Sequence, residues 1–153
     1  MKFLELKLPP LAVLLIFGAA MWFVARGFPA SEVAFHGQAA FAAIILAAGL
    51  GIGLRGVQVF RRNATTINPM TPEAASAVVS TDIFAYTRNP MYLGLAVVLV
   101  AWTVYLGSLP AGLGVPGFIA YMTAYQIVPE ERVLASKFGA PSDEYRNRVR
   151  RWI

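Results

Sequence analysis

The run NPMYLGLAVVLVAWTVYLGSLPAGLGVPGFIAYMTAYQIVP, Asn89 to Pro129, carries no charged residue over 41 positions. A helix needs about 20 apolar residues to cross a bilayer, so this run is long enough for two. The stretch GSLPAGLGVPG, Gly107 to Gly117, divides it, and its glycines and prolines favour a turn. A hairpin of two membrane helices follows, over about 91–107 and 111–128.

Outward from that hairpin lie two more charge-free runs. Leu8 to Ala25 sits between Lys7 and Arg26, and Val33 to Leu54 sits between Glu32 and Arg55. They predict spans over about 8–25 and 35–56. The first is longer than the apolar core of a secretory signal, about 7–15 residues, so it reads as a retained span. The chain is 58% hydrophobic and 14% charged. Soluble domains hold about 45–50% apolar and 25% charged residues. The expectation is an all-α, multipass bundle of four spanning helices. It forms a single domain over 1–153, with a loop over 57–90 and a helical cap over 129–153.

Charge placement orients this bundle. With four spans, the N-terminus, the 57–90 loop and the C-terminal tail share one side. Twelve of the 13 Lys and Arg residues fall there and Arg26 alone falls opposite. Positive charge marks the cytoplasmic side, which places the chain in the inner membrane with both termini cytoplasmic. The net charge of +5 then faces anionic headgroups, and no nucleic-acid partner is expected. The chain has no cysteine and one histidine, His36. Disulfides, thiolate catalysis and a two-histidine metal site are thereby excluded, and no metal is expected.

GLGIGLRG contains Gly51-x-Gly53-x-x-Gly56, a dinucleotide-binding pattern. That pattern needs a preceding strand and an acid about 20 residues later, and here it lies inside a membrane helix. Gly49 and Gly53 instead form a GxxxG pair that lets helix backbones approach closely. The same face is where a homo-oligomer would form. In the loop, Thr71-Pro72-Glu73 is a helix-start signature and predicts a short helix over 72–79. In the tail, Pro129 opens a helix that Gly139 ends. A second helix starts at Ser142. Tyr145, Val149 and Trp152 share a face by spacing, which predicts a basic amphipathic helix on the membrane surface.

Two stretches carry candidate chemistry. YTRNPMYLG, Tyr86 to Gly94, places an arginine, a proline and two tyrosines at a membrane threshold. Interfacial anchoring explains such residues, and so does ligand binding. Glu130 and Glu131 sit at the end of the fourth run. Adjacent carboxylates at a membrane boundary are costly unless paired or hydrated. The hairpin brings both stretches to one membrane face.

TTINP, TRNPMYLG, PEERVLASKFG, Tyr145 and the final RW resemble the isoprenylcysteine carboxyl methyltransferase and phospholipid methyltransferase superfamily. The resemblance runs from Thr65 to Trp152. It implies an integral membrane enzyme that moves a methyl group from S-adenosylmethionine to a lipid-like or small apolar acceptor in the bilayer. Arg88, Asn89, Pro90 and Tyr92 match the first motif of the superfamily and would help form the cofactor pocket. Glu130 and Glu131 match the second. Arg88, Glu130 and Glu131 are thereby the catalytic candidates, and Ile83 and Tyr86 lie in the segment that lines the cofactor in relatives. Asn89 replaces the histidine of the isoprenylcysteine branch and is similar to the phospholipid and bacterial branches. Asp82 stands where relatives have glycine, and Ser142 where they often have an aromatic. Two other readings stand beside this one: a non-enzymatic membrane module, and a reductase-like relative using NADPH.

Overall fold

The computed structural model describes residues 5–29, 33–63 and 70–153. Lys2, Glu32 and the TTINP segment lie outside the described residues. The helices are α1 (Pro10–Gly27), α2 (Gln38–Arg62), α3 (Pro90–Leu106), α4 (Gly114–Met122), α5 (Val128–Phe138) and α6 (Ala140–Arg148). Among the described residues there is no β-strand. The expected all-α bundle is what the chain forms.

Among the described residues, three helical stretches are long and apolar enough to cross a membrane: Pro10–Gly27, Gln38–Arg62 and the continuous rod Ala111–Phe138. The helix α3 is apolar but has 17 residues, a length of about 25 Å against a hydrocarbon core of about 30 Å. It is the central element. On one side α1 and α4 pack on it through Val13, Met21, Ala96, Leu99, Phe118 and Met122. On the other side lies α2, which scarcely touches α1.

Glycines decide how α2 meets α3. A Cβ on Gly94 would stand 2.6 Å from the Gly49 carbonyl oxygen and 2.8 Å from the Gly53 nitrogen. Only a chain without side chains at this crossing brings the two backbones so close. The Gly49–Gly53 face, which the sequence offered to a second copy, is therefore filled by α3 of the same chain.

The rod Ala111–Phe138 is not uniform. Thr123–Ile127 is a π-helical turn between α4 and α5. Pro129 explains it. Proline has no N–H for the carbonyl four residues back, and its ring pushes that carbonyl away. The freed carbonyl, on Tyr125, accepts the Leu6 N–H at 3.0 Å. The side-chain amide of Gln126 donates to the Leu8 carbonyl at 3.0 Å. The N-terminal segment thus covers the widened turn. The sequence read Pro129 as the opening of a separate helix, whereas the structure carries the rod through it.

Two local expectations fail. The helix predicted over 72–79 is a single 3-10 turn, Pro72–Ala74. Beyond it the chain is extended, which lets Val79 join Val59 and Phe84 in a small apolar cluster. The tail helix starts at Ala140 and stops at Arg148, and Val149 is extended at φ −115, ψ 136. Trp152 therefore leaves the face shared with Tyr145. Its indole N–H donates to the Thr123 hydroxyl at 3.1 Å, at the π turn. Gly139 does end α5, at φ +58.

Candidate functional site

Pro90 opens α3, where its missing N–H costs nothing, and it keeps Asn89 out of the helical region, at φ −131, ψ 58. The chain therefore reaches α3 extended, and the extended C-terminal tail lies along it. The Arg88 N–H donates to the Arg150 carbonyl at 3.0 Å. The Asn89 side-chain amide donates to the Arg151 carbonyl at 2.9 Å.

Past the tail, α5 delivers two adjacent carboxylates to different partners. Glu131 lies between two guanidiniums. Arg151 holds it at two points, Nε to Oε1 at 3.0 Å and Nη2 to Oε2 at 2.8 Å. Arg88 approaches with Nη2 at 3.2 Å, and both of these side chains are only 12% exposed. Glu130 turns toward α3, where it accepts a hydrogen bond from the Tyr92 hydroxyl at 2.5 Å.

Arg88 is incompletely satisfied. Its Nε and Nη1 are buried and have no hydrogen-bond partner. Burial pulls its pKa below the usual arginine value, and Glu131 acts in the opposite sense. Arg151 is shifted the other way, chiefly by its hydrogen bond to Glu131. Buried donors without acceptors are costly, and in native proteins they ask for an explanation.

These groups border an open-mouthed cavity of about 120 Å³, smaller than the about 300–1,000 Å³ of common ligand sites. Part of the lining is polar: Arg88, Asn89, Tyr92, Glu130, Glu131, Ser142, Tyr145 and Arg146. Another part is apolar: Phe60, Pro72, Val78, Val79, Phe84 and Leu134. Phe60 and Phe84 stack at 4.7 Å with an interplanar angle of 8°. The Tyr145 hydroxyl donates to the Phe84 carbonyl at 2.8 Å, and burial raises its pKa.

Of the residues singled out in the sequence, Arg88, Asn89, Pro90, Tyr92, Glu130 and Glu131 line this cavity. Ile83 and Tyr86 do not. Ile83 packs against the Val59–Phe84 cluster, and Tyr86 is 81% exposed. Sequence reasoning missed Phe60 and Val79, whose apolar character is shared with every neighbour. It also missed Arg151 as a partner of Glu131, because a basic tail shows only charge. Ser142 lines the cavity and is buried. Asp82 sits at φ +59, a backbone region that glycine favours and aspartate tolerates. Its carboxylate holds Arg55, with Nε at 2.9 Å from Oδ1.

Residues 38–141 match the family described as phospholipid methyltransferase, well over half of the chain. The chain belongs to the phospholipid methyltransferase family. The matched part begins at the first residue of α2 and ends inside α6. It therefore contains Arg88, Tyr92 and both carboxylates. The chain is also 48% identical over 63 residues to an uncharacterized protein of Haemophilus influenzae, a stretch that is 41% of this chain and all of that protein. No solved structure matches it. Membership of the phospholipid methyltransferase family, together with three helices of spanning length, makes this an integral membrane protein of methyltransferase type.

Proposed function

We propose that the protein transfers a methyl group from S-adenosylmethionine to a lipid-like acceptor embedded in the membrane, at a site open to the cytoplasm. The inner membrane is its location, with both termini cytoplasmic. The charge placement supports that orientation, since twelve of 13 Lys and Arg residues lie on the site's side.

The observation that carries the reading is Arg88. A buried guanidinium with Nε and Nη1 unpartnered fits an anionic ligand group such as a carboxylate, which arginine takes through paired donors. S-adenosylmethionine carries one. When bound, it supplies a methyl group on a cationic sulfonium, open to in-line displacement. The chain's own residues would do the rest. Arg88 holds the carboxylate of the donor, and Glu131 and Arg151 fix the angle of Arg88. Tyr92 and Glu130 present an aromatic ring and a carboxylate, both favourable to a cation. Phe60, Val78 and Val79 receive the apolar part of the acceptor and exclude water. Holding the two reactants in line is the main contribution expected of such a site. An ammonium acceptor must first shed a proton; of Glu130 and Glu131 we assign that role to Glu130, because Glu131 is held by Arg88 and Arg151.

Calorimetric titration of detergent-purified protein with S-adenosylmethionine, S-adenosylhomocysteine and NADPH tests the reading. The first two bind and NADPH does not. Arg88→Ala and Glu130→Ala each weaken that binding while the protein stays folded. NADPH binding alone would replace the proposal with the reductase reading. Binding of none would leave a non-enzymatic membrane module.

A further inference from the structure

A second concavity lies at the opposite end of the bundle. Because α1 and α2 flank α3 and scarcely touch, they leave a groove floored by Val98, Leu99 and Trp102. It encloses about 730 Å³. Its walls combine small residues, Gly18 and Ala19 on α1 and Ala42 and Ala43 on α2, with Leu14, Leu15 and Leu46. The only side-chain donor of Trp102 is spent within the chain, on the Gly18 carbonyl at 3.0 Å. The groove therefore offers hydrocarbon contact almost throughout. At bilayer depth an apolar hollow is filled by hydrocarbon rather than water.

The rim is not neutral. Trp22 lines the groove, and the Arg26 guanidinium carbon lies over its ring, 5.0 Å from the centroid. Arg26 is exposed. Among the described residues no carboxylate pairs with it. A guanidinium has N–H groups that can take a phosphate at two points. A cation at the headgroup level, directly above a hydrocarbon groove, is the arrangement that a single lipid spans. A second copy of the chain would bring no described carboxylate to that level, because every described acid sits at the other end of the bundle or beyond it.

We propose that this groove binds one acyl chain of an anionic phospholipid whose phosphate pairs with Arg26. The site is separate from the cavity at Arg88 and does not depend on the proposed reaction. From Tyr92 to Tyr105 along α3 the distance is about 20 Å.

Bromine quenches tryptophan only on contact, so Trp22 and Trp102 report on the groove. The full chain in bilayers is titrated with phosphatidylglycerol and phosphatidylcholine, each carrying the same dibrominated chains. Phosphatidylglycerol quenches the wild type at a lipid fraction about tenfold lower than phosphatidylcholine, the size expected for one charge-assisted contact. R26Q abolishes that preference and R26K retains most of it. R61Q, at the far end of α2, leaves it unchanged. A43F fills the groove and weakens quenching by both lipids. Equal quenching of the wild type by the two lipids would overturn the proposal, as would a preference that survives R26Q or is lost in R61Q. So would disulfide-linked dimers of A43C that are no longer quenched, since a second copy would then own the groove.

Discussion

The Tyr92 hydroxyl and the Glu130 carboxylate, 38 residues apart in sequence, meet at 2.5 Å between α3 and α5. This bond joins the two motif-bearing stretches directly. Tyr92→Phe removes the donor and leaves a buried carboxylate facing a ring. Loss of one partner from a buried hydrogen bond costs about 1–3 kcal/mol. Thermal unfolding in detergent should show that loss, and S-adenosylhomocysteine affinity should fall with it. An unchanged midpoint would mean that Glu130 finds another donor.

Arg151 does not line the cavity, yet it holds Glu131 at two points. Arg151→Ala frees Glu131 to turn fully onto Arg88 and to occupy the donors left for a ligand. Cofactor affinity should then drop about tenfold, the equivalent of about 1.4 kcal/mol, although no direct contact has been removed. Arg132→Ala, which removes an exposed partner of Glu5, should change affinity little. Calorimetry on the two variants separates these outcomes.

The crossing of α2 and α3 leaves no room at Gly94. Gly94→Leu forces the helices apart, and overpacking of this kind costs about 1–3 kcal/mol or more. Because Pro90 and Tyr92 lie in the turn of α3 just before Gly94, the variant should lose both thermal stability and cofactor binding. Gly51→Ala, where an added Cβ meets nothing within 4 Å, should be tolerated and serves as the control.

Asp82 separates two effects. Its φ of +59 favours glycine, while its carboxylate holds Arg55. Asp82→Gly loses the pair but relaxes the backbone, and Asp82→Ala loses the pair and keeps the strain. Asp82→Ala should therefore unfold at the lower temperature. The pair with Arg55, and secondarily the Ile83 N–H, lowers the Asp82 pKa from its ordinary value. The contribution of the pair is thus full above the ordinary aspartate pKa and is lost as pH falls through the lowered one. Acid should narrow the gap between wild type and Asp82→Gly, as thermal melts across that range would record.

The bundle was legible because bilayer thickness fixes helix length, so charge-free runs such as Asn89 to Pro129 could mean little else. The meeting of Arg88 with Glu130 and Glu131 was legible because a hairpin returns its two ends to one face. What stayed hidden depended on tertiary partners. Tyr145, Val149 and Trp152 have helical spacing, but the Arg88 N–H and the Asn89 side-chain amide hold the Arg150 and Arg151 carbonyls in an extended path. Thr71-Pro72-Glu73 begins a turn that burial of Val79 then ends. Tyr86 looked like a site residue beside Arg88, and only the local 3-10 turn at Asp82–Ala85 carries it outward. Pro129 was read through its preference for helix starts, and the N-terminal residues that accept its cost were too distant in sequence to suggest otherwise.

The widened turn at Thr123–Ile127 is also a phase setter. Each residue of an α-helix advances it by about 100°, and a π turn takes up one residue more than an α turn, so the same residues wound at regular pitch would rotate everything after them by about that angle. Glu130 and Glu131 would swing off Tyr92 and Arg88 together, with every side chain of the chemistry still present and none of it aimed.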